Sequence, residues 1–200
     1  MIEHTLLSAG ISRIAGVDEA GRGPCAGPLV VAAVILPKPT SDLWGDIQDS
    51  KKLTEKKREE LFDLITKNAL AFSIKEISVE EIDSNGLHKS NIEGMRRAIS
   101  ALQIKPEYVL TDGYAIPGLA QPNLAVWKGD QVSVSVGAAS ILAKVHRDRL
   151  MVDLDLRYPG YGLAGHKGYI TAAHTAALKK LGISEIHRKS FANIAELLNN

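Results

Sequence analysis

Apolar and polar positions divide this chain into short, well-marked segments. An apolar approach from Ile11 to Val17 leads into a glycine-rich stretch, and an unbroken apolar run follows from Leu29 to Leu36. That order predicts strand, tight turn, strand, with the strands over 11–18 and 29–36 as antiparallel neighbours. Pro37, Lys38 and Pro39 stop the second strand. Thr54 can cap a helix whose Leu61, Leu64 and Ile65 share an inner face, and residues 69–77 return as a third strand. Ser78 and Glu81 have the spacing of a capping box ahead of Asn85-Gly86. Leu87, Ile92, Met95, Ile99 and Leu102 then recur at helical spacing over 87–103. After Pro106, Tyr108 to Leu110 reads as a short buried strand ending at Thr111-Asp112-Gly113. A fifth strand is expected from about Leu124 to Trp127. The longest helical pattern covers 133–157 and puts Ser140, Lys144 and Asp148 on one face, with Ile141, Val145 and Leu150 available to the core. A Gly- and Tyr-rich loop over 158–169, a helix capped by Thr171 and a short closing helix complete the pattern, and residues 1–10 read as a loosely held start. Three early strands followed by alternating helices and strands predict an α/β fold with a mixed sheet covered on both faces. In such sheets, sites gather at strand ends.

Composition narrows this picture. Two hundred residues suit one domain, with a core over about 11–157 and a helical C-terminal part over about 158–200. A net charge of +1 names no partner, but residues 144–190 carry nine Lys/Arg against four Asp/Glu. A basic quarter facing an acidic remainder suits a polyanion held against a carboxylate cluster. The single cysteine, Cys25, excludes an internal disulfide and fits a reducing compartment. No histidine lies near it in sequence, so a catalytic thiol is not expected. No apolar run approaches the ~20 residues of a membrane helix, and MIEHTLLSAGI lacks the basic start of a signal peptide. A cytoplasmic monomer without membrane contact is the expectation.

The candidate chemistry sits at the first turn, GVDEAGRGPCAGP. Asp18 and Glu19 fall where the first strand should end, beside a glycine-flanked arginine, which suggests a metal site next to a phosphate or sugar. For a lone acidic pair a solvated turn is the better reading. The glycines, the arginine and the flanking strands reverse that preference here. Asp112 ends another strand, and Asp148 can approach from the long helix. Hard divalent cations take oxygen ligands, and two of them ~4 Å apart can activate water and stabilise the leaving oxygen of a phosphoryl displacement. Without cations, gathered carboxylates would repel one another. Zinc lacks ligand spacing, no nucleophile elbow is present, and GRGPCAGP lacks the ending of a P-loop.

Five stretches in register, DEAGRGP, DSKKL at 49–53, TDG at 111–113, ASILAKVHRD at 139–148 and HKGY at 166–169, resemble the bacterial ribonuclease HII family, a type 2 ribonuclease H. The resemblance runs from about Ile11 to Phe191. It implies an RNase H-like fold with a mixed five-stranded sheet flanked by helices. It also implies cleavage of the RNA strand of RNA–DNA hybrids and incision 5′ to single ribonucleotides in duplex DNA, using two Mn²⁺ or Mg²⁺ ions and leaving 5′-phosphate and 3′-hydroxyl ends. By the same resemblance Asp18, Glu19, Asp112 and Asp148 match the family's catalytic, metal-binding acids. Gly21, Arg22 and Gly23 match the segment that senses the ribose 2′-hydroxyl, a group that is both donor and acceptor. Tyr169 matches the tyrosine that packs against the next sugar. Lys51, Lys52, Lys144 and Arg147 are candidate phosphate contacts or solvated charges, and for His166 and His187 a surface or structural role is preferred to assistance in catalysis. Two other readings stay open. A catalytically silent hybrid-binding module is disfavoured by the intact acids, and a different two-metal nuclease is disfavoured by the GRG segment.

Overall fold

The computed structural model describes residues 2–47 and 53–198. The described chain runs α1 (Ile2–Ser8), β1 (Ile14–Ala20), β2 (Leu29–Ile35), a 3₁₀ segment (Asp42–Ile47), α2 (Glu55–Asn68), β3 (Ala71–Ile77), α3 (Val79–Asn85) and α4 (Leu87–Ser100). It continues as β4 (Tyr108–Asp112), β5 (Asn123–Val126), α5 (Gly129–Val132), α6 (Val134–Arg157), α7 (Leu163–His166), α8 (Ala172–Leu181) and α9 (Ala192–Leu198). The five strands form one mixed sheet in the order β3-β2-β1-β4-β5. β1 is antiparallel to β2 and parallel to β4.

A strand with no polar residue must be covered on both faces, and β2 is treated that way. Leu29, Val31, Ala33 and Ile35 meet Met95, Ala98 and Ile99 of α4. Val30, Ala32, Val34 and the following Leu36 meet Leu61 and Ile65 of α2 and Ala138, Ile141 and Leu142 of α6. The period-2 alternation of a strand thus builds two cores from one run of sequence. A third cluster joins Cys25 and Ala26 to Met151, Leu154, Leu163, Leu178 and Ile194, and so ties the C-terminal helices to the glycine turn. α6 lies directly on β1. A Cβ on Gly16 would stand 2.0 Å from the backbone carbon and oxygen of Ser135, so only glycine admits this approach.

The caps follow the sequence signals. Thr54, Ser133 and Thr171 each accept an N–H from the first turn of their helix. Ser78 does so as well, accepting from Glu81 N, but the Glu81 carboxylate pairs with Arg97 rather than completing the box. One segment differs from the expectation, and another forms where the sequence predicts no element. Residues 2–8 are not loose. The fully buried Glu3 carboxylate accepts from Ser133 Oγ at 2.6 Å and Ser135 N at 3.0 Å, which pins α1 to the start of α6. Residues 42–47 form a 3₁₀ segment because Trp44 is buried there and its Nε1 donates to the Pro37 carbonyl at 3.1 Å. Among the described residues no helix is long and apolar enough to cross a membrane.

Candidate active site

β1 and β4 run parallel, so their C-terminal ends bring Asp18, Glu19 and Asp112 to the same edge of the sheet. Adjacent strand residues normally face opposite ways. Here the Asp18 carboxylate turns back over its own strand end, where Oδ1 accepts the Glu19 N–H at 2.7 Å. Asp112 is fixed by its Oδ1, which accepts the Gly129 N–H at 2.7 Å. These three acids line a cleft of about 460 Å³ together with Gly21, Arg22, Gly23, Ser140, Lys144 and Tyr169.

The electrostatics of this cleft are unfavourable to the protein alone. Asp18 is 5% exposed. Burial, then the charges of Glu19 and Asp112, push its carboxyl well above the usual range, against the hydrogen bond from Ser140 and that from the Glu19 N–H. Burial also raises Glu19, and the Arg22 guanidinium at 3.4 Å offsets part of that rise. Glu19 Oε2 is buried without a hydrogen-bond partner. The fully buried Asn91 of α4 lies close enough to favour the charged carboxylate, yet its amide makes no hydrogen bond of normal geometry. A cleft with buried, mutually repelling carboxylates and an orphaned carboxylate oxygen fits hard divalent cations, which complete their oxygen shells with water and substrate phosphate. In the arrangement described, no three Asp, Glu, His or Cys side chains among the described residues converge on a single ion position.

The structure does not bring Asp148 into this group. It stands one turn beyond Lys144 on α6, its Oδ1 accepts from Lys144 Nζ at 2.8 Å, and it lines an adjoining hollow with Glu55, Glu59 and Arg149. Lys144 itself faces the cleft. Lys51 and Lys52, with most of the DSKKL stretch, lie outside the described residues. Tyr169 is half exposed, and a Cβ on Gly23 would come within 3.2 Å of its ring. Arg22 stacks over Tyr114 at 4.3 Å.

One expectation is corrected. Arg147 lines the inner wall of the cleft but is no surface phosphate contact, because it is 1% exposed and its guanidinium donates to the carbonyls of Pro28, Lys167 and Ala26. Cys25, with no histidine near it in sequence, meets one in space: His174 Nδ1 lies 3.8 Å from its thiol across 149 residues of sequence, with both groups buried. Sequence reading also missed Arg58, which lines the cleft, and Asn91, Tyr114 and Arg188. Arg58 gave no signal beyond a charge on a charged helix. Tyr114, two residues after a strand-end acid, was the most readable of the four.

The family model described as ribonuclease HII matches residues 15–194. The ribonuclease HII of Nocardia farcinica is 56% identical over 197 residues, covering 98% of this chain and 78% of that protein. Among solved structures, the ribonuclease H2 of Pyrococcus horikoshii superposes with a TM-score of 0.81 at 28% identity, over 94% of this chain and 97% of that one. The ribonuclease HII solved with PCNA from Archaeoglobus fulgidus superposes with a TM-score of 0.77 at 30% identity, over 90% and 95% of the two chains.

Proposed function

The chain belongs to the ribonuclease HII family and is a ribonuclease H hydrolase, and from that premise we propose that it cuts the RNA strand of RNA–DNA hybrids and incises duplex DNA 5′ to single ribonucleotides. The observation that carries this reading is that the buried Asp18 and the partly buried Glu19 and Asp112 line one cleft beside the Gly21–Gly23 backbone and Tyr169. Acids alone would suit any phosphoryl-transfer enzyme. A glycine-flanked backbone beside them suits a test of sugar identity, since only a main chain can approach a single hydroxyl that closely.

In this reading Asp18, Glu19 and Asp112 would hold Mn²⁺ or Mg²⁺, and Asp148, the fourth acid of the family resemblance, would join them only by giving up its Lys144 partner to the cation. Two such ions, when bound, supply the charge that favours attack by water and departure of the leaving oxygen. Gly21, Arg22 and Gly23 present main-chain groups to the 2′-hydroxyl, and the Tyr169 ring packs on the following sugar. Lys144, which faces the cleft, neutralises substrate phosphate, and Lys51 is a candidate for the same role. Water adds to the phosphorus on the 5′ side of the ribonucleotide and the bond to the preceding 3′-oxygen breaks. The ribonucleotide keeps a 5′-phosphate, and the upstream strand ends in a 3′-hydroxyl. The protein works as a cytoplasmic monomer.

One gel assay tests the proposal. All-DNA, single-ribonucleotide and full-hybrid duplexes are incubated with and without Mn²⁺. Cutting of the second and third only, and only with metal, is the expected result. Equal cutting of all-DNA duplex would sink the claim of sugar selectivity, and hybrid binding without cleavage would sink the proposed chemistry.

A further inference from the structure

Two buried arginines lie behind the Gly21–Gly23 loop, and neither forms an ion pair among the described residues. Arg147 donates to Pro28 O, Lys167 O and Ala26 O at 3.0, 3.0 and 3.1 Å. Arg188 donates through Nε and Nη2 to Gly27 O at 3.0 and 2.8 Å, and through Nη1 to Arg22 O at 3.3 Å. Leaving two cations in a protein interior with only carbonyl partners is costly. Burial holds the Arg147 guanidinium down at about 10, and burial with the Arg147 charge holds Arg188 at about 9. Both remain charged at neutral pH.

The carbonyls these arginines occupy determine where the opposite ends of the same peptides point. In a trans peptide, C=O and N–H are antiparallel. The Ala26–Gly27 peptide illustrates the rule: its carbonyl goes to Arg147, and its Gly27 N–H donates the other way, to Ile186 O at 2.9 Å. The Arg22–Gly23 peptide has its carbonyl on Arg188, which is fully buried, while Gly23 lines the cleft. Its N–H therefore faces the cleft, and it has no acceptor among the described residues. Gly21, at φ +97°, is backed by the other arginine, where a Cβ would lie 2.0 Å from Arg147 Nε.

We propose that Arg188 is a positioning residue for sugar discrimination: by holding the Arg22 carbonyl from behind, it aims the Gly23 N–H at the oxygen of a ribose 2′-hydroxyl in the cleft. Arg147 supports the same loop from its Gly21 side. The role calls for arginine. The planar fork reaches Gly27 O and Arg22 O at once, whereas a lysine is a single-point donor. This inference rests on the proposed function and adds a residue that never touches substrate.

The test is Arg188→Lys, which keeps the charge and removes the fork. The variant is first checked for a cooperative melt. The expected result is a loss of about tenfold or more in kcat/KM on single-ribonucleotide duplex, with unchanged affinity for all-DNA duplex. Wild-type kcat/KM in the variant would overturn the inference, and so would an equal loss of affinity for all-DNA duplex. Should the variant fail to fold, the Gly23 amide resonance of the wild-type protein carries the test. Without divalent cation, it should shift on adding ribonucleotide-containing duplex and stay in place with all-DNA duplex. The same shift with both would overturn the inference. A wild-type enzyme that ignores ribonucleotides would instead defeat the proposed function itself.

Discussion

His174 and His187 meet nitrogen to nitrogen, Nε2 to Nε2 at 3.2 Å, with both rings fully buried. Their outer partners fix which nitrogen carries each proton. His174 Nδ1 faces the Tyr169 carbonyl at 2.9 Å and must donate, so its Nε2 accepts. His187 Nε2 must then donate, and its Nδ1 accepts the Ser184 N–H at 3.1 Å. The result is a directional chain from Ser184 through two neutral imidazoles to the backbone of Tyr169, with no vacancy for another proton. His166 is also spoken for, since Gly168 N donates to its Nδ1 at 3.2 Å and its Nε2 meets Tyr161 O at 2.8 Å.

This chain makes stability depend on pH. Burial lowers His174, and burial with the His174 charge lowers His187 to about 4. Between that value and the ordinary one near 6.5, the unfolded chain binds more protons than the folded one. Stability therefore falls as pH drops through this window and levels off below it. The His187 shift, part of it due to His174, corresponds to a loss on the order of 3 kcal/mol at most. Asp18 and Glu19, raised in the fold, slope the opposite way, so the melt is best followed in Asp18→Asn. A falling Tm from pH 6.5 to 4, flattened by His187→Gln, is expected. An unchanged Tm across the window would contradict the tautomer assignment.

Asp18→Asn should separate stability from activity. The wild-type carboxyl is buried beside two other acids, and its raised pKa means that ionisation at neutral pH opposes folding. In the presence of chelator the variant is expected to melt a few degrees above wild type. On single-ribonucleotide duplex with Mn²⁺ it should lose on the order of a hundredfold or more in rate. Added Mn²⁺ should raise the Tm of wild type and leave the variant nearly unmoved. Near wild-type cutting would remove Asp18 from the proposed site.

What the sequence made legible, and what it hid, divides along physical lines. Strand ends, caps and the doubly apolar β2 could be read because each is a local pattern. That Asp18, Glu19 and Asp112 end neighbouring strands could be read too, because an acid close before a glycine at a strand end is a local signal. Arg147, Glu3 and the Cys25–His174 contact could not, because the partners that bury them lie mostly about 120 to 150 residues away. A charged residue on a helix face reads as exposed unless the carbonyls that surround it are known. Arg147 shares its side of α6 with Met151, and both meet Gly27 rather than solvent. The helix face of Ser140, Lys144 and Asp148 was read correctly, but only the structure reveals that Lys144 occupies Asp148.

Tyr169→Ala should cost activity without costing much stability. The side chain is 48% exposed, and the bond that ties this residue to His174 comes from its backbone carbonyl. A surface truncation of this kind shifts stability by about 0.5 kcal/mol, or about 2 °C in Tm. Turnover of single-ribonucleotide duplex should fall by about tenfold or more if the ring orders the following sugar. Unchanged turnover with a collapsed Tm would make the tyrosine structural instead.

Gly16→Ala probes the contact on which the cleft is built. The added Cβ would stand 2.0 Å from the Ser135 carbon and oxygen and 2.5 Å from Val136 N. All three are backbone atoms at the start of α6, held by the Ser133 cap and the buried Glu3, so no side-chain rotation can relieve the clash. α6 must move off β1, and Ser140 and Lys144 move away from Asp18 with it. A loss of about 4 kcal/mol or more is expected, together with reduced activity at temperatures where the variant is still folded. Gly165→Ala is the control. It lies in α7 without a positive φ and has nothing within 4 Å of the added methyl, so its Tm should hold or rise slightly. A Gly16→Ala protein that melts and cuts like wild type would mean that α6 does not rest on β1 as closely as described.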